Sequence, residues 1–407
     1  MNANHDELEQ VLGRQLHDQV DHLDGHPLVF DDVRNRAGRI RRGRRIAAGV
    51  SSAAAVAIIV PVAVLATQGL DDTDRDIEPA PTPDAPVEVV RATLTLTGLE
   101  RGDAPAVEYF TPDGVVLPGQ SLTRLDVSYQ ALMPYASDGG WLVVEPNLDG
   151  IGYLSEDFQP QGGSSKTEGL ATTPDRDWVS WTDPETGPQT LVLRSTSDPE
   201  AGMTWSLPGP PAVSPVGFVA EDRVVFQAVD QKGGSVDAGI AEPDGSITAL
   251  PGVVGVKSAN PVNGLIAVQT TVNEDASGCF GVLDPEVSTS EPVWETCDHS
   301  LGAFSPDGHY VMAGSPYGDG FGHTSLDVLD AESGELVASF TQPGAAELAL
   351  VMSVWESADT IVAVAAEGET QTMVRLGVDG TLEEVVEPVE GMFGDLYFYL
   401  GEDRVRF

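Results

Sequence analysis

Short turn-and-strand units recur along the chain from about residue 138 onward. Each unit is a turn rich in Asp, Gly and Pro followed by an apolar run of four to eight residues. Successive units start 37 to 52 residues apart, which is the spacing of a four-stranded repeat. Amphipathic helical patterns are not evident between the runs, so the segment 87–407 is predicted to be all-β with seven repeats. The units start near Asp138, Asp175, Asp222, Asn263, Asp307, Asp359 and Asp403.

The clearest unit covers residues 303–340, AFSPDGHYVMAGSPYGDGFGHTSLDVLDAESGELVASF. Its first turn is Ser305-Pro306-Asp307-Gly308, in which Pro pre-sets φ, Asp accepts backbone N–H bonds and Gly takes a positive φ. A strand, a loop and a hairpin with its turn at 331–334 follow. This unit resembles one blade of a TolB-type or WD40-like β-propeller. The resemblance implies a ring of seven blades, with six or eight blades or a pair of β-sandwiches as alternatives.

The two ends of this domain suggest how such a ring would close. Residues 402–407 (EDRVRF) read as the start of a blade that is not completed, and 107–119 (VEYFTPDGVVLPG) matches the outer hairpin 239–252 (GIAEPDGSITALPG). We therefore expect the C-terminal strand to pair with N-terminal strands and complete the seventh blade. Such pairing would remove exposed edge strands.

A 21-residue uncharged segment, Ile46–Ala66, precedes the β domain. A helix of this length spans the roughly 30 Å hydrocarbon core of a bilayer. A buried soluble helix and a cleaved signal peptide are the alternatives, but 45 preceding residues favour a retained signal-anchor. Seven arginines directly before the segment place the N-terminus in the cytoplasm and residues 67–407 outside the cell membrane. They are Arg34, Arg36, Arg39, Arg41, Arg42, Arg44 and Arg45.

The predicted cytoplasmic tail, residues 1–45, contains an amphipathic helix with apolar residues every three or four positions. An isolated helix this short is only marginally stable. The apolar face of residues 7–23 is therefore expected to pack against the tail itself, the membrane surface or a cytoplasmic partner. The tail and span resemble the front end of many single-pass proteins of high-G+C Gram-positive bacteria, some of which are anti-sigma factors. The zinc-binding anti-sigma pattern needs two Cys, which this tail lacks, so no metal is expected there at His5, His17, His22 or His26.

Residues 67–86 are acidic and Pro-rich, which predicts a stiff, solvated linker. Asp72, Asp74 and Asp76 imitate the first half of a calcium loop, but the Gly and Glu of its second half are missing, so calcium is not expected. The chain carries a net charge of −43, all of it beyond residue 66. Such a surface repels phosphate backbones, and nucleic acid is excluded as a partner.

The chain has two cysteines, Cys279 and Cys297. Outside the cell such a pair favours a disulfide. The stretch between them has turn-forming residues at its centre, so a hairpin would place the cysteines opposite each other and within bonding distance. The closed loop would contribute roughly 3 kcal/mol to stability in the chain-entropy model.

Catalytic signatures such as GxSxG, HExxH, a P-loop or GxGxxG after a strand do not occur in the sequence. His299, His309 and His323 are expected to be solvated, and a glycosidase-type carboxylate pair can be neither located nor dismissed. No catalytic residue, cofactor or metal is predicted. Six tryptophans, about one per blade, are expected to pack the repeats: Trp141, Trp178, Trp181, Trp205, Trp294 and Trp355.

These observations favour a membrane-anchored, non-enzymatic extracellular module that binds a protein, peptide or glycan. Two alternatives stay open. The first is a transmembrane signalling or anti-sigma-like regulator that acts through the tail, and the second is a propeller enzyme for a polysaccharide or peptide.

Overall fold

The structure is a computed structural model. It describes residues 88–400 apart from twelve short gaps, and all of them belong to the compact unit Pro83–Phe407. The gaps are 126–130, 136–139, 145–149, 166–168, 184–189, 199, 208–211, 230–235, 274–276, 317–321, 344–347 and 392–396. The predicted tail, membrane span and linker lie outside the described residues. Among the residues that are described, no helix is long and apolar enough to cross a membrane.

The described residues form thirty strands. In chain order they are β1 (Val90–Thr93), β2 (Glu100–Arg101), β3 (Tyr109–Thr111), β4 (Gly114–Val116), β5 (Thr123–Arg124), β6 (Ala131–Pro134), β7 (Trp141–Val144), β8 (Gly150–Leu154), β9 (Pro160–Ser165), β10 (Leu170–Thr172), β11 (Trp178–Thr182), β12 (Thr190–Ser195), β13 (Gly202–Ser206), β14 (Ala212–Ala220), β15 (Arg223–Val229), β16 (Val236–Ala241), β17 (Ile247–Ala249), β18 (Gly255–Ala259), β19 (Ile266–Gln269), β20 (Phe280–Leu283), β21 (Trp294–Thr296), β22 (Ser300–Phe304), β23 (Tyr310–Gly314), β24 (Ser325–Asp330), β25 (Leu336–Thr341), β26 (Leu348–Trp355), β27 (Thr360–Glu367), β28 (Thr370–Gly377), β29 (Leu382–Glu390) and β30 (Tyr399–Leu400).

Seven antiparallel sheets follow one another, and we number them as blades I to VII. Blade I is β30-β3-β4-β5, and blades II to V are β6–β9, β10–β13, β14–β17 and β18–β21. Blade VI is β22–β25 with β1 added, and blade VII is β26–β29 with β2 added. From blade III round to blade I, the first strands of neighbouring blades contact each other, so the first strands lie innermost. The described part of the chain is therefore a seven-bladed β-propeller, as predicted.

Seven apolar clusters join the blades, one at each interface between neighbours. Strand β27, the second strand of blade VII, is a continuous apolar run because both of its faces are buried between blades. Ile361, Ala363 and Ala365 pack against blade VI, whereas Val362 and Val364 pack against blade I. Because successive side chains point to opposite faces, a strand buried between two neighbouring sheets is apolar at every position.

Blade I closes the ring with strands from both ends of the domain. Tyr109 of β3 pairs with Leu400 of β30 in antiparallel register, which confirms the predicted closure. The predicted closing strand 402–407 lies outside the described residues. The hairpin at 107–119 forms the second and third strands of its blade, not the outer two like its match at 239–252, so that alignment was wrong by one strand.

The repeated turn also occupies a different place from the one predicted. In blades II to VII the predicted starts precede β7, β11, β15, β19, β23 and β27, which are second strands. The recurring element is therefore the turn between the first and second strands of a blade. The sequence pattern predicts a blade start there because the turns before the first strands are less rich in Asp.

A leader segment before β3 covers the outer edges of blades VI and VII. Strand β1 pairs in parallel with β25, and β2 pairs in parallel with β29. The guanidinium of Arg375 donates to the carbonyl oxygens of Asp103 and Ala104 at 3.3 and 3.4 Å. The Glu356 carboxylate accepts a bond from the backbone N–H of Ala106 at 2.6 Å. These contacts fix the leader against blade VII.

The predicted disulfide is present. Cys279 and Cys297 are bonded, with their Cα atoms 4.1 Å apart. They flank the outer hairpin of blade V, where Phe280 pairs with Thr296. The hairpin register therefore places the two cysteines opposite each other, as expected from the sequence.

Candidate functional site

A cavity of about 350 Å³ lies on blade II. Its described wall comes from the connection between β6 and β7 and from the connection between β8 and β9, which lie at the same end of the blade. Antiparallel strands bring these two connections together although Tyr135 and Asp157 are 22 residues apart in sequence. The lining residues are Tyr135, Gly140, Trp141, Tyr153, Leu154, Ser155, Glu156, Asp157 and Gln161.

Aromatic rings form one part of the wall. The ring centroids of Tyr135 and Tyr153 are 5.5 Å apart, and Trp141 stacks on Phe158 with centroids 5.2 Å apart and planes 12° from parallel. The Trp141 indole N–H also points to the Glu156 carbonyl oxygen at 3.4 Å. These four aromatic side chains belong to the apolar clusters between blade II and blades I and III. The packing between blades therefore positions this wall.

The turn after β8 has an unusual backbone. Phe158 has a φ of 59°, a region that side chains other than Gly, Asn and Asp seldom occupy. Two backbone bonds hold it, from Phe158 N–H to the Ser155 carbonyl at 2.9 Å and from Ser155 N–H to the Gln159 carbonyl at 2.8 Å. The turn thereby places Phe158 under Trp141 and presents Glu156 and Asp157 to solvent at the cavity mouth.

The carboxylates favour positive charge at the mouth of the cavity, whereas its two tyrosines also interact electrostatically with Arg194, which does not line the cavity. Burial raises the pKa of Tyr135 to about 12, and burial together with the Asp183 carboxylate raises the pKa of Tyr153. Both phenols are therefore neutral hydrogen-bonding groups at physiological pH. Glu156 and Asp157 supply carboxylates, and none of the described lining residues is basic. An aromatic cavity with carboxylates at its mouth suits an ammonium or guanidinium group, and aromatic rings beside carboxylates and an amide also suit a sugar.

The structure corrects the expectation that the histidines are solvated. His309 is exposed on its turn, as predicted, with its Nε2 atom 4.0 Å from Asp307. His323 is buried and bridges to Leu350 of blade VII through its backbone. His299 is three-quarters buried, with Nδ1 3.3 Å from the Asp327 carboxylate. Contacts between segments distant in sequence cover both of them, which a single sequence does not reveal.

Two carboxylates are buried among the described residues, Glu108 and Asp327. Glu108 lies beside blade I and meets Arg176 at 2.8 Å, whereas Asp327 lies in blade VI beside His299. The structure does not bring them together as a glycosidase-type pair. The described residues also contain no group of three or more His, Cys, Asp or Glu placed to hold a metal ion.

The tryptophans pack between blades, although blade III holds three of the six. The Trp205 indole donates to the Glu242 carbonyl oxygen at 2.8 Å, and the Trp294 indole donates to the Ala331 carbonyl oxygen at 2.9 Å. Each joins the fourth strand of one blade to the turn after the third strand of the next, 37 residues later. Trp141 differs from them because it also lines the cavity.

Sequence reasoning assigned no ligand-binding residue and missed the cavity. The signal was the acidic and aromatic turn after β8, LSEDFQ, which no other repeat contains. Tyr135 and Trp141 belong to the preceding hairpin, and their distance from this turn becomes short only through the strand pairing.

No known protein family matches the sequence, and no curated protein is significantly similar to it. Several solved propellers are similar in structure. The β-propeller domain of Cps50 (Swd1) from Myceliophteria thermophila is 10% identical over 65% of this chain and 86% of that one, with a TM-score of 0.44. A putative TolB from Agrobacterium tumefaciens is 12% identical over 58% of this chain and 89% of that one, with a TM-score of 0.38.

Virginiamycin B lyase from Staphylococcus aureus is 13% identical over 70% of this chain and 98% of its own, with a TM-score of 0.43. Similarities this distant carry no argument about activity. The assignment of this chain as a seven-bladed β-propeller rests on its own sheet order and ring closure.

Proposed function

We propose that this chain is a membrane-anchored, non-enzymatic extracellular β-propeller that binds a partner protein or peptide through a basic side chain. The observation that carries the proposal is the blade II cavity, with three aromatic residues in its wall and two carboxylates at its mouth. A concave site with aromatic walls and a few converging polar groups is the usual form of a binding pocket.

Two interactions favour a basic side chain over a neutral one. A cation over the face of Trp or Tyr gains about 0.5–2 kcal/mol, depending on how far it is desolvated. Glu156 and Asp157 add direct attraction, and the net charge of −43 steers basic partners towards the whole surface. A glycan would contact the same aromatic rings without needing the negative charge of the carboxylates. Whether the affinity depends on a positive charge of the ligand therefore separates these two ligand classes.

The binding experiment compares N-acetyl-arginine amide with its neutral isostere, N-acetyl-citrulline amide, on the intact chain in detergent micelles. Changes in tryptophan fluorescence and calorimetry report binding. We expect the arginine compound to bind at least about fivefold more tightly, because the isostere lacks the charge that the rings and carboxylates recognise. Glu156→Gln combined with Asp157→Asn should remove the preference, whereas Glu332→Gln on an exposed turn of blade VI should leave it intact.

Equal binding of the two compounds would overturn the basic-ligand assignment. Binding of neutral oligosaccharides, unchanged by the two substitutions, would assign the cavity to a glycan. Turnover of a bound peptide or oligosaccharide would replace the non-enzymatic proposal with the enzyme alternative.

The proposed anchoring has the cytoplasmic tail at 1–45, the membrane helix at 46–66, the linker at 67–86 and the propeller outside. The arginine cluster before residue 46 supports this orientation, and the Cys279–Cys297 disulfide agrees with an oxidising compartment. Deleting residues 46–66 should release the protein from membranes washed with alkaline carbonate. If the deleted form stays in the membrane fraction, the anchor is assigned wrongly.

The helix predicted in the tail supports a second candidate, a signalling or anti-sigma-like regulator. Its apolar positions between residues 7 and 23 need a contact that so short a helix cannot provide by itself. Cross-linked membranes should be compared for the full chain and for a chain lacking residues 1–33. A cytoplasmic regulator captured only by the full chain would support signalling, and identical captures would support a passive anchor.

A further inference from the structure

Lys257 lies on β18, the innermost strand of blade V, at a β-bulge. Val256 pairs with Val268 and Ser258 pairs with Ala267, so Lys257 is the extra residue between two consecutive pairs. Bulges redirect a side chain and occur often beside binding sites. The Ser258 hydroxyl donates to the Gly302 carbonyl of blade VI at 2.6 Å, which fixes the bulge against the next blade.

The Lys257 ammonium has an unusual environment for so acidic a protein. It is partly buried, and Nζ is 5.4 Å from the centre of the Phe280 ring. Burial lowers its pKa. The chain has 64 acidic and 21 basic residues, yet within the described part of the chain no carboxylate lies within ion-pair distance of this ammonium.

The neighbouring ionisable groups are already engaged. Asp327 pairs across the sheet with Ala313, which packs towards blade V, so Asp327 faces the same interface as Lys257. Its carboxylate is 3.3 Å from His299, and burial alone accounts for the lowered pKa of Lys257. The cation–π contact is therefore the one described interaction that compensates the desolvated charge.

The fold does not require a charge at this position. Blades IV, VI and VII also have bulges in their innermost strands. The extra residues there are Val216 and Val219 in blade IV, Gly302 and Ala303 in blade VI, and Val351 in blade VII. Four inner strands share the irregularity, and blade V alone among these four has a cation in it.

We propose that Lys257 binds the anionic oxygen group of a ligand, a carboxylate or a phosphate, that enters the centre of the ring beside blades V and VI. The ligand's negative charge would form an ion pair with the Lys257 ammonium, for which no described residue supplies a carboxylate. A charged hydrogen-bond partner stabilises a partly buried cation. Lys257 lies on blade V and does not line the blade II cavity, so this proposal stands or fails independently of the function proposed for that cavity.

The chain has only three lysines, Lys166, Lys232 and Lys257, which makes a direct measurement practical. The intact chain in micelles is reductively methylated with ¹³C-formaldehyde, and the Lys257 signal is identified by its absence from Lys257→Met. Its pKa is then measured in chloride, acetate and phosphate at one ionic strength. We expect acetate or phosphate to raise the pKa by about half a unit over chloride, since a bound anion favours the ammonium form.

The signals of Lys166 and Lys232 serve as internal controls and should not distinguish the anions. A rise with acetate alone assigns the site to carboxylates, and a rise with phosphate alone assigns it to phosphates. If the pKa of Lys257 responds to the three anions as the pKa values of the other two lysines do, the proposal is wrong.

Discussion

The turns that join the first two strands of blades III and VI have matching hydrogen bonds and differ at their first residue, Thr or Ser, and at their fourth, Arg or Gly. In blade VI the Ser305 hydroxyl donates to Asp307 at 2.6 Å and accepts from the Tyr310 N–H at 3.0 Å. In blade III the Thr173 hydroxyl donates to Asp175 at 2.6 Å and accepts from the Trp178 N–H at 3.1 Å. The fourth residue of the turn has a positive φ in both, 78° at Gly308 and 62° at Arg176.

An arginine in this conformation costs roughly 1–2 kcal/mol, so its presence in blade III has a reason outside the turn. Arg176 reaches both carboxylate oxygens of Glu108 at 2.8 Å, and Glu108 is only 3% exposed. In both blades the Ser or Thr and the Asp define the turn. The fourth position is then available for a contact between distant parts of the ring, at the expense of local backbone strain.

Arg176→Gly is expected to have the largest effect. The change relieves the strain in the turn but leaves a buried carboxylate without its cation, a loss of about 3–5 kcal/mol for a fully buried pair. Arg176 is partly exposed, so we expect a net destabilisation of about 2–3 kcal/mol. Urea unfolding of the intact chain followed by tryptophan fluorescence measures it.

The control for this variant is Arg176→Gly combined with Glu108→Gln. A neutral amide removes the unpaired charge, so most of the lost stability should return. A single variant that is as stable as the parent would mean that strain, and not the ion pair, dominates in blade III.

Gly308→Ala tests the same position in blade VI, where a side chain would find no ion pair. The added Cβ would adopt a positive φ and lie 2.8 Å from Nδ2 of Asn263, whose amide bonds the Gly308 carbonyl. We expect a loss of about 2 kcal/mol, read from the urea midpoint. Adding Asn263→Ala should remove the steric part, so the double variant should lose less than the sum of the singles.

Asp175→Ala and Asp307→Ala should have the smallest and most similar effects. Each aspartate accepts one hydroxyl bond and one backbone bond inside its turn, so each loss should be about 1 kcal/mol. The measurement is the difference between the two unfolding free energies, which we expect to be near zero. A difference above about 1 kcal/mol would show that the two turns are not equivalent.

The sequence predicted what is local and periodic. The residues Ser305-Pro306-Asp307-Gly308 predicted a tight turn from the conformations that Pro, Asp and Gly favour. The spacing to the weaker copies predicted seven blades. The unfinished repeat at the C-terminal end predicted that strands from both ends close blade I. The disulfide also followed from a local argument, because Cys279 and Cys297 flank one hairpin. The turn and the disulfide depend on contacts within a few tens of residues, whereas the closure of blade I pairs distant strands and was predicted only from the unfinished repeat at the C-terminal end.

What could not be predicted depends on contacts between distant segments. Nothing in the sequence around Val90 indicates that β1 pairs in parallel with β25, and nothing at Glu108 indicates Arg176. The bulge at Lys257 and the cavity beside Trp141 arise from the register of the paired strands. The alternation of apolar and polar residues indicates which face of a strand is buried, but not which strand it pairs with. Side chains brought together in this way are visible only in the folded ring.

The pairing of Tyr109 with Leu400 also determines the order in which the blades can form during protein synthesis. Six blades contain their own first strand and can form as the ribosome releases them, but β3, β4 and β5 wait for a strand made about 290 residues later. Contacts so far apart in sequence form slowly, since loop closure must precede them. Until then the edge of β3 and the apolar flank of blade VII are open to chaperones, and to other nascent chains.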